Sequence, residues 1–353
     1  MTIVDLSLEN MRLSRYFSRI KRMEFIRYRL INSMILLSCV CFVAFGNRAL
    51  EDTRELRREC SRALEKRDFK AVKEEATRLH YISRLQGDDL GYAYSSFYLG
   101  TSEVFAGDAA KGVRYLQSAF HLADSLGCDS LMGLTLNGLG IYEANVNNNY
   151  YLAQQYLLKS LRYPGIEGSV YSNLAQIARL QGDRSGMDYA QRCYDYGVEH
   201  NDSYYIYGGL LAKAEFCIFN AEYDTALDLI GKARKVAKER KKGDSVRLDF
   251  LEAVVLSHKN QTKQSTKLLI EMEDSIAKRA PIYLPELQFV IGKNFQKEKN
   301  YKESDRWLNL ALESGDIHSS NDYTARINLE LADNSIAEGE YLGAYGYLKR
   351  AYT

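Results

Sequence analysis

Apolar and small residues recur at helical spacing along most of this chain, and the block that carries them recurs as well. Around Ala332 the order is Leu331-Ala332, then Gly339 and Tyr341 across a polar turn, then Ala344, Leu348 and Ala351. The i, i+3, i+7 spacing of Ala344, Tyr347 and Ala351 makes one face that a neighbouring helix can cover. The block before it reads Ile291-Gly292, Phe295, Tyr301, Ser304, Leu308, Ala311, and another reads Ala214, Ala221, Tyr223, Ala226, Ile230, Ala233. Looser copies centre on Gly100, Gly140, Ala175 and Ala253. Each block predicts two helices, A and B, with a small residue in helix A and an aromatic plug at the start of helix B. Short turns such as Lys66-Arg67-Asp68, Ala106-Gly107-Asp108, Gln181-Gly182-Asp183 and Glu338-Gly339-Glu340 join them. Gly and Asp suit such turns through left-handed geometry and side-chain capping.

The small anchors Gly100, Gly140, Ala175, Ala214, Ala253, Gly292 and Ala332 are 40, 35, 39, 39, 39 and 40 residues apart. Residues 52–86 read as a degenerate first copy, with Phe69 at the aromatic position and Leu79 late in its second helix. One hairpin cannot bury enough surface alone, so the copies must stack. With its small residue, its turn and its Tyr-x-x-Ala-x-x-x-Leu-x-x-Ala second helix, the stretch 52–353 resembles the tetratricopeptide repeat (TPR) family, in its exported bacterial type. The resemblance implies an all-α fold: a right-handed superhelical array of antiparallel helix hairpins, about seven or eight pairs, in a TPR-like α-solenoid with a concave groove. The period is nearer 39 than the family's 34, the family's tryptophan is missing and its closing proline is almost absent. The longer period implies helices about a turn longer than usual.

The same resemblance implies where a partner lies. Helix A positions around each anchor give a groove of Tyr94, Phe97, Asn137, Gln176, Arg179, Arg247, Lys293 and Lys297, with Thr101, Ile141, Glu215, Phe219 and Phe250 beside them. Such grooves hold extended peptides with amide clamps and aromatic pockets. Asn137, Gln176 and Arg179 are only part of the family's carboxylate-clamp set. The last helix carries Tyr341, Leu342, Tyr345, Tyr347, Leu348 and Tyr352, with Lys349 and Arg350 as its charges. Its Tyr345–Leu348–Tyr352 stripe faces outward, which predicts docking on a partner, on a second copy or on further sequence.

Residues 1–46 differ from the rest. Seven basic and three acidic residues precede an apolar run from Leu30 to Phe45, and Ala44-Phe45-Gly46 forms a small-x-small site. That order predicts a secretory signal peptide, or an N-terminal membrane anchor through residues 30–46, leaving 47–353 as the repeat domain. Leu36-Leu37-Ser38-Cys39 also resembles a lipoprotein box, but the residues after Cys39 stay apolar, so Cys39 and Cys41 read as filler of the run. The expected location is exported, periplasmic or membrane-anchored. Cys60, Cys128, Cys193 and Cys217 are too scattered for a zinc ribbon or a redox pair and are expected as buried free thiols.

The 353 residues carry a net charge of +1, which argues against a nucleic-acid binder. No metalloprotease, phosphate-loop or serine-hydrolase motif occurs, so no enzyme, cofactor or metal site is expected. Gly138-x-Gly140 reads as helix packing rather than half a dinucleotide signal. The five histidines His80, His121, His200, His258 and His318 are isolated. The basic run Arg234-Lys235, Lys238, Arg240-Lys241-Lys242 reads as a solvated helix end. The tyrosines 194, 196, 204, 205 and 207 should place about two in the core. The expected function is a non-catalytic protein-interaction scaffold with a protein or peptide partner. The second reading is the periplasmic sensory region of a membrane-bound signalling regulator whose kinase or helix-turn-helix output lies elsewhere.

Overall fold

A computed structural model describes residues 52–239, 246–279, 281–315 and 321–352. The expected signal segment with Cys39, the Arg240-Lys241-Lys242 part of the basic run and His318 lie outside the described residues. The described helices are α1 (Thr53–Glu65), α2 (Phe69–Gln86), α3 (Asp89–Ala106), α4 (Ala109–Ser125), α5 (Asp129–Asn145), α6 (Tyr150–Ser160), α7 (Glu167–Leu180) and α8 (Gly186–Glu199). They continue as α9 (Ser203–Phe219), α10 (Tyr223–Glu239), α11 (Val246–His258), α12 (Thr262–Arg279), α13 (Leu284–Lys297), α14 (Tyr301–Gly315), α15 (Asn321–Glu338) and α16 (Tyr341–Ala351). Odd-numbered helices are the A members of hairpins and even-numbered ones the B members. The chain divides into two compact units, Met1–Tyr142 and Glu143–Thr353, with the division in the last turn of α5.

The anchors show why small residues recur. In the first unit Leu116 of α4 sits against two A helices. A Cβ on Gly100 of α3 would lie 2.8 Å from Leu116 Cγ, and one on Gly138 of α5 would lie 3.1 Å from Leu116 Cδ2. In the second unit a Cβ on Gly292 of α13 would lie 2.8 Å from Leu308 Cγ of α14. Both leucines stand sixteen residues after their glycine. Ile230, Leu269 and Leu348 hold the same place after Ala214, Ala253 and Ala332. All seven anchors are buried. Cys60, forty residues before Gly100 and fully buried, holds the anchor position of the first hairpin as a small hydrophobe. Burial pushes its thiol up to about 12.

Turn geometry repeats as well. Seven residues after an anchor position, Arg67, Gly182, Ala221, Asn260, Lys299 and Gly339 all have φ between 56° and 82°. The left-handed residue is therefore a property of the A-to-B turn, and non-glycine residues meet it at a small cost. Gly107 departs from this, with φ −143°. Its missing Cβ instead makes room for Glu103, whose carboxylate would lie 2.0 Å away. Glu103 is buried, accepts from the Asp108 N–H at 3.1 Å and pairs with Lys73 at 2.9 Å and Lys111 at 3.5 Å. Asp68, Asp88, Asp108, Asn149 and Asp202 each accept an N–H in the first turn of the helix they precede.

The core of the second unit runs through Leu210, Ile230, Leu248, Leu269, Leu287 and Ile291. Tyr194 and Tyr207 lie half-buried against it, while Tyr196 and Tyr205 pack edge to face at 5.3 Å. Cys193 and Cys217 are buried and Cys128 is partly exposed; all are free thiols. A polar ladder crosses this core. Asn294 Nδ2 donates to Ser265 Oγ at 2.9 Å and Asn294 Oδ1 accepts from Ser257 Oγ at 2.5 Å. One repeat later Asn334 Nδ2 donates to Ser304 Oγ at 2.8 Å and its carbonyl oxygen accepts from Gln296 at 2.8 Å. Ser265 and Ser304 occupy the small B-helix position that is Ala226 in α10. The residue two after the next anchor is then Val255, not asparagine. Serine and asparagine thus arrive together because each satisfies the other in a dry place. Asn294→Ala is expected to cost about 2 kcal/mol by taking one hydrogen bond from each of two buried serine hydroxyls. Asn294→Val with Ser265→Ala should recover most of that loss in urea unfolding, and additive losses would contradict the pairing.

Candidate functional site: the helix A face of the second unit

Successive A helices α7, α9, α11, α13 and α15 touch one another, and no two successive B helices do so comparably among the described residues. The A helices therefore line the inner side of this unit. Charges along that side pair from one A helix to the next. Arg179 of α7 meets Glu215 of α9 at 3.2 Å, Arg247 of α11 meets the same carboxylate at 2.6 Å, and Arg247 reaches Glu286 of α13 at 3.3 Å. The Arg247 and Glu215 side chains are only 14% and 15% exposed. The Arg247 guanidinium also lies over the Tyr283 ring at 4.8 Å and the Phe250 ring at 5.3 Å. Burial works against its charge, but Glu215 and Glu286 outweigh that and raise its pKa.

Farther along, Lys293 of α13 pairs with Glu330 of α15. Lys297 donates to the Ser257 carbonyl at 2.8 Å and approaches the Ser257 hydroxyl at 3.4 Å. Burial, then the neighbouring Lys293, holds the Lys297 pKa below the usual lysine range. Burial and Lys297 likewise lower that of His258, whose ring stacks on Tyr223 at 5.2 Å. Gln176 is exposed on this side, and Leu180, Phe219 and Ile336 leave apolar surface open beside the paired charges.

In the first unit, Tyr94 is half-buried, with its hydroxyl 3.1 Å from Ser130 Oγ and Arg57 over its ring at 5.1 Å. Phe97 and Asn137 are buried. Of the eight groove candidates, the structure brings Arg179 and Arg247 onto one carboxylate. Lys293 and Lys297 share one helix, and Gln176 stands alone in water. Sequence spacing gave Glu215 a groove position but not its role as the shared counter-ion, and it left out Glu286 and Glu330. Their signal is opposite charge at neighbouring A-helix positions. Among the described residues no group of three His, Cys, Asp or Glu could hold a metal ion, and no helix is long and apolar enough to cross a membrane.

No protein-family model matches the chain, and no curated protein matches it. Solved structures do. A Rap protein complexed with Competence and Sporulation Factor is 11% identical with a TM-score of 0.62, over 85% of this chain and 96% of that one. The apo form of RapI is 12% identical with a TM-score of 0.57, over the same shares. The apo form of the quorum sensor NprR from B. thuringiensis is 13% identical with a TM-score of 0.52, over 86% and 98%. At such identity the likeness concerns the fold. The chain is an all-α, TPR-like solenoid of antiparallel helix hairpins.

Proposed function

We propose that this protein is a non-catalytic interaction scaffold, exported or anchored in a membrane through residues 30–46, whose helix A face in the second unit takes a protein or peptide partner. The observation that carries the reading is the composition of that face. Arg179, Arg247 and Lys293 pair with carboxylates of neighbouring A helices and Lys297 with a backbone carbonyl, while Leu180, Phe219 and Gln176 stay open. A surface of that kind favours an extended segment with apolar side chains and backbone groups for an amide to clamp, over a highly charged ligand. The sensory reading is supported by the names of its structural neighbours, a Rap protein with Competence and Sporulation Factor and a quorum sensor. It makes the partner a signal and the chain part of a regulator.

A photo-crosslinking residue placed at Gln176 or Phe219 is expected to capture the partner in the exporting cell. The same probe at Tyr151 or Leu158, exposed on helix B α6, should not. Capture only from α6 would remove the groove reading. Intact protein confined to the cytosol, away from membrane and periplasmic fractions, would remove the export reading.

A further inference from the structure

We infer that the outer face of α16 is an interface between two copies of this chain, the helices pairing antiparallel about Tyr345. In two hairpins the aromatic residue that opens the B helix rests on the end of the next A helix. Tyr223 stacks on His258 of α11 at 5.2 Å, and Phe69 stacks on Phe105 of α3 at 4.7 Å. Tyr341 opens α16 in the same register, and no described element lies over it. Tyr341 is 72% exposed, Leu342 86%, Tyr345 67% and Tyr352 81%, while Ala344 on the opposite face is buried against its own hairpin. So much aromatic and aliphatic surface on one helix is the mark of an interface. Gly346 lies beside it in the middle of the helix, and a Cβ there would meet nothing within 4 Å. A mid-helix glycine is destabilising relative to alanine. Nothing in its own surroundings calls for the missing Cβ, and its absence leaves room for a second helix to approach closely.

The charges select the occupant. Glu338 and Glu340 stand at the N-terminal end of α16, and Lys349 and Arg350 stand in its last turn. Two such helices laid antiparallel with Tyr345 on Tyr345 bring the basic end of each to the acidic end of the other. Lys349 then comes beside the second copy's Tyr341 ring, where a cation is favoured. Parallel pairing would oppose like charges. A two-fold contact between identical faces closes on itself.

Sedimentation of the full chain in a mild detergent should show a concentration-dependent dimer. Glu338→Lys with Glu340→Lys should abolish it, and adding Lys349→Glu with Arg350→Glu should restore it. Tyr345→Cys should give a disulfide-linked dimer on mild oxidation, whereas Leu158→Cys on α6 should not. A wild type that stays monomeric at its solubility limit overturns the inference, whether another protein or another part of the chain covers the face. So does a dimer indifferent to the charge reversals, or one that the second reversal fails to restore.

Discussion

Gly292→Leu should lower the unfolding free energy by about 3 kcal/mol or more, at the upper end of what overpacking costs. The reason is geometric. The first added carbon would already lie 2.8 Å from Leu308 Cγ, 2.9 Å from Leu308 Cδ2 and 3.3 Å from the Ser304 carbonyl oxygen. Leu308 is fully buried between α13 and α15 neighbours and has no free volume to swing into. The helices must separate, and the loss then spreads to Ile327 and Leu331, which share that cluster. Gly292→Ala should cost less, and Leu308→Ala added to Gly292→Leu should return part of the loss. Gly231→Ala is the matched control, because its Cβ would meet nothing within 4 Å. It should gain up to about 1 kcal/mol from helix propensity. Urea midpoints read all four. An unchanged midpoint in Gly292→Leu would mean that α13 and α14 are not in this close contact.

The packing of helix on helix was legible because it rests on one residue size at one spacing. Seven anchors, and the apolar residue sixteen places later in five of the seven copies, can be read without knowing any side-chain direction. Cys60, the eighth, was not legible, because the other anchors are all glycine or alanine and a thiol fills the place only once its burial is seen. The turns were half legible. Gly182 and Gly339 advertise a left-handed residue, but Ala221 and Lys299 adopt it under the pull of the hairpin, which local propensity does not record. The groove was least legible. Counting positions put both Phe97 and Arg179 among the groove candidates, yet the first is buried and the second is half exposed. Which long side chain reaches which neighbour depends on helix-to-helix spacing and rotamer, and these enter only with the fold. The ladder of Ser265 with Asn294 and Ser304 with Asn334 lies between. Its co-occurrence is written in the repeats, but it acquires meaning only when the two residues are seen to touch.

Glu215→Leu should cost about 3–5 kcal/mol, the usual result of stranding one member of a buried ion pair. Removal leaves the Arg247 guanidinium, 14% exposed, with only the half-exposed Glu286 at 3.3 Å. Arg247→Met should cost less, because Glu215 keeps Arg179 at 3.2 Å and that arginine reaches water. The two substitutions together are expected to be milder than Glu215→Leu alone, since neither buried charge then lacks its partner and the methionine refills the space between Phe250 and Tyr283. A double-mutant cycle in urea measures this coupling. Strictly additive losses would show that the carboxylate and the guanidinium do not depend on each other. The outcome also bears on binding. If Arg247 is held this strongly by its own chain, a ligand gains nothing from its charge. A binding defect in an Arg247 variant would then report a disturbed α9–α11 contact. The groove is better probed at Gln176 and Phe219, whose exposed side chains support no neighbour's charge.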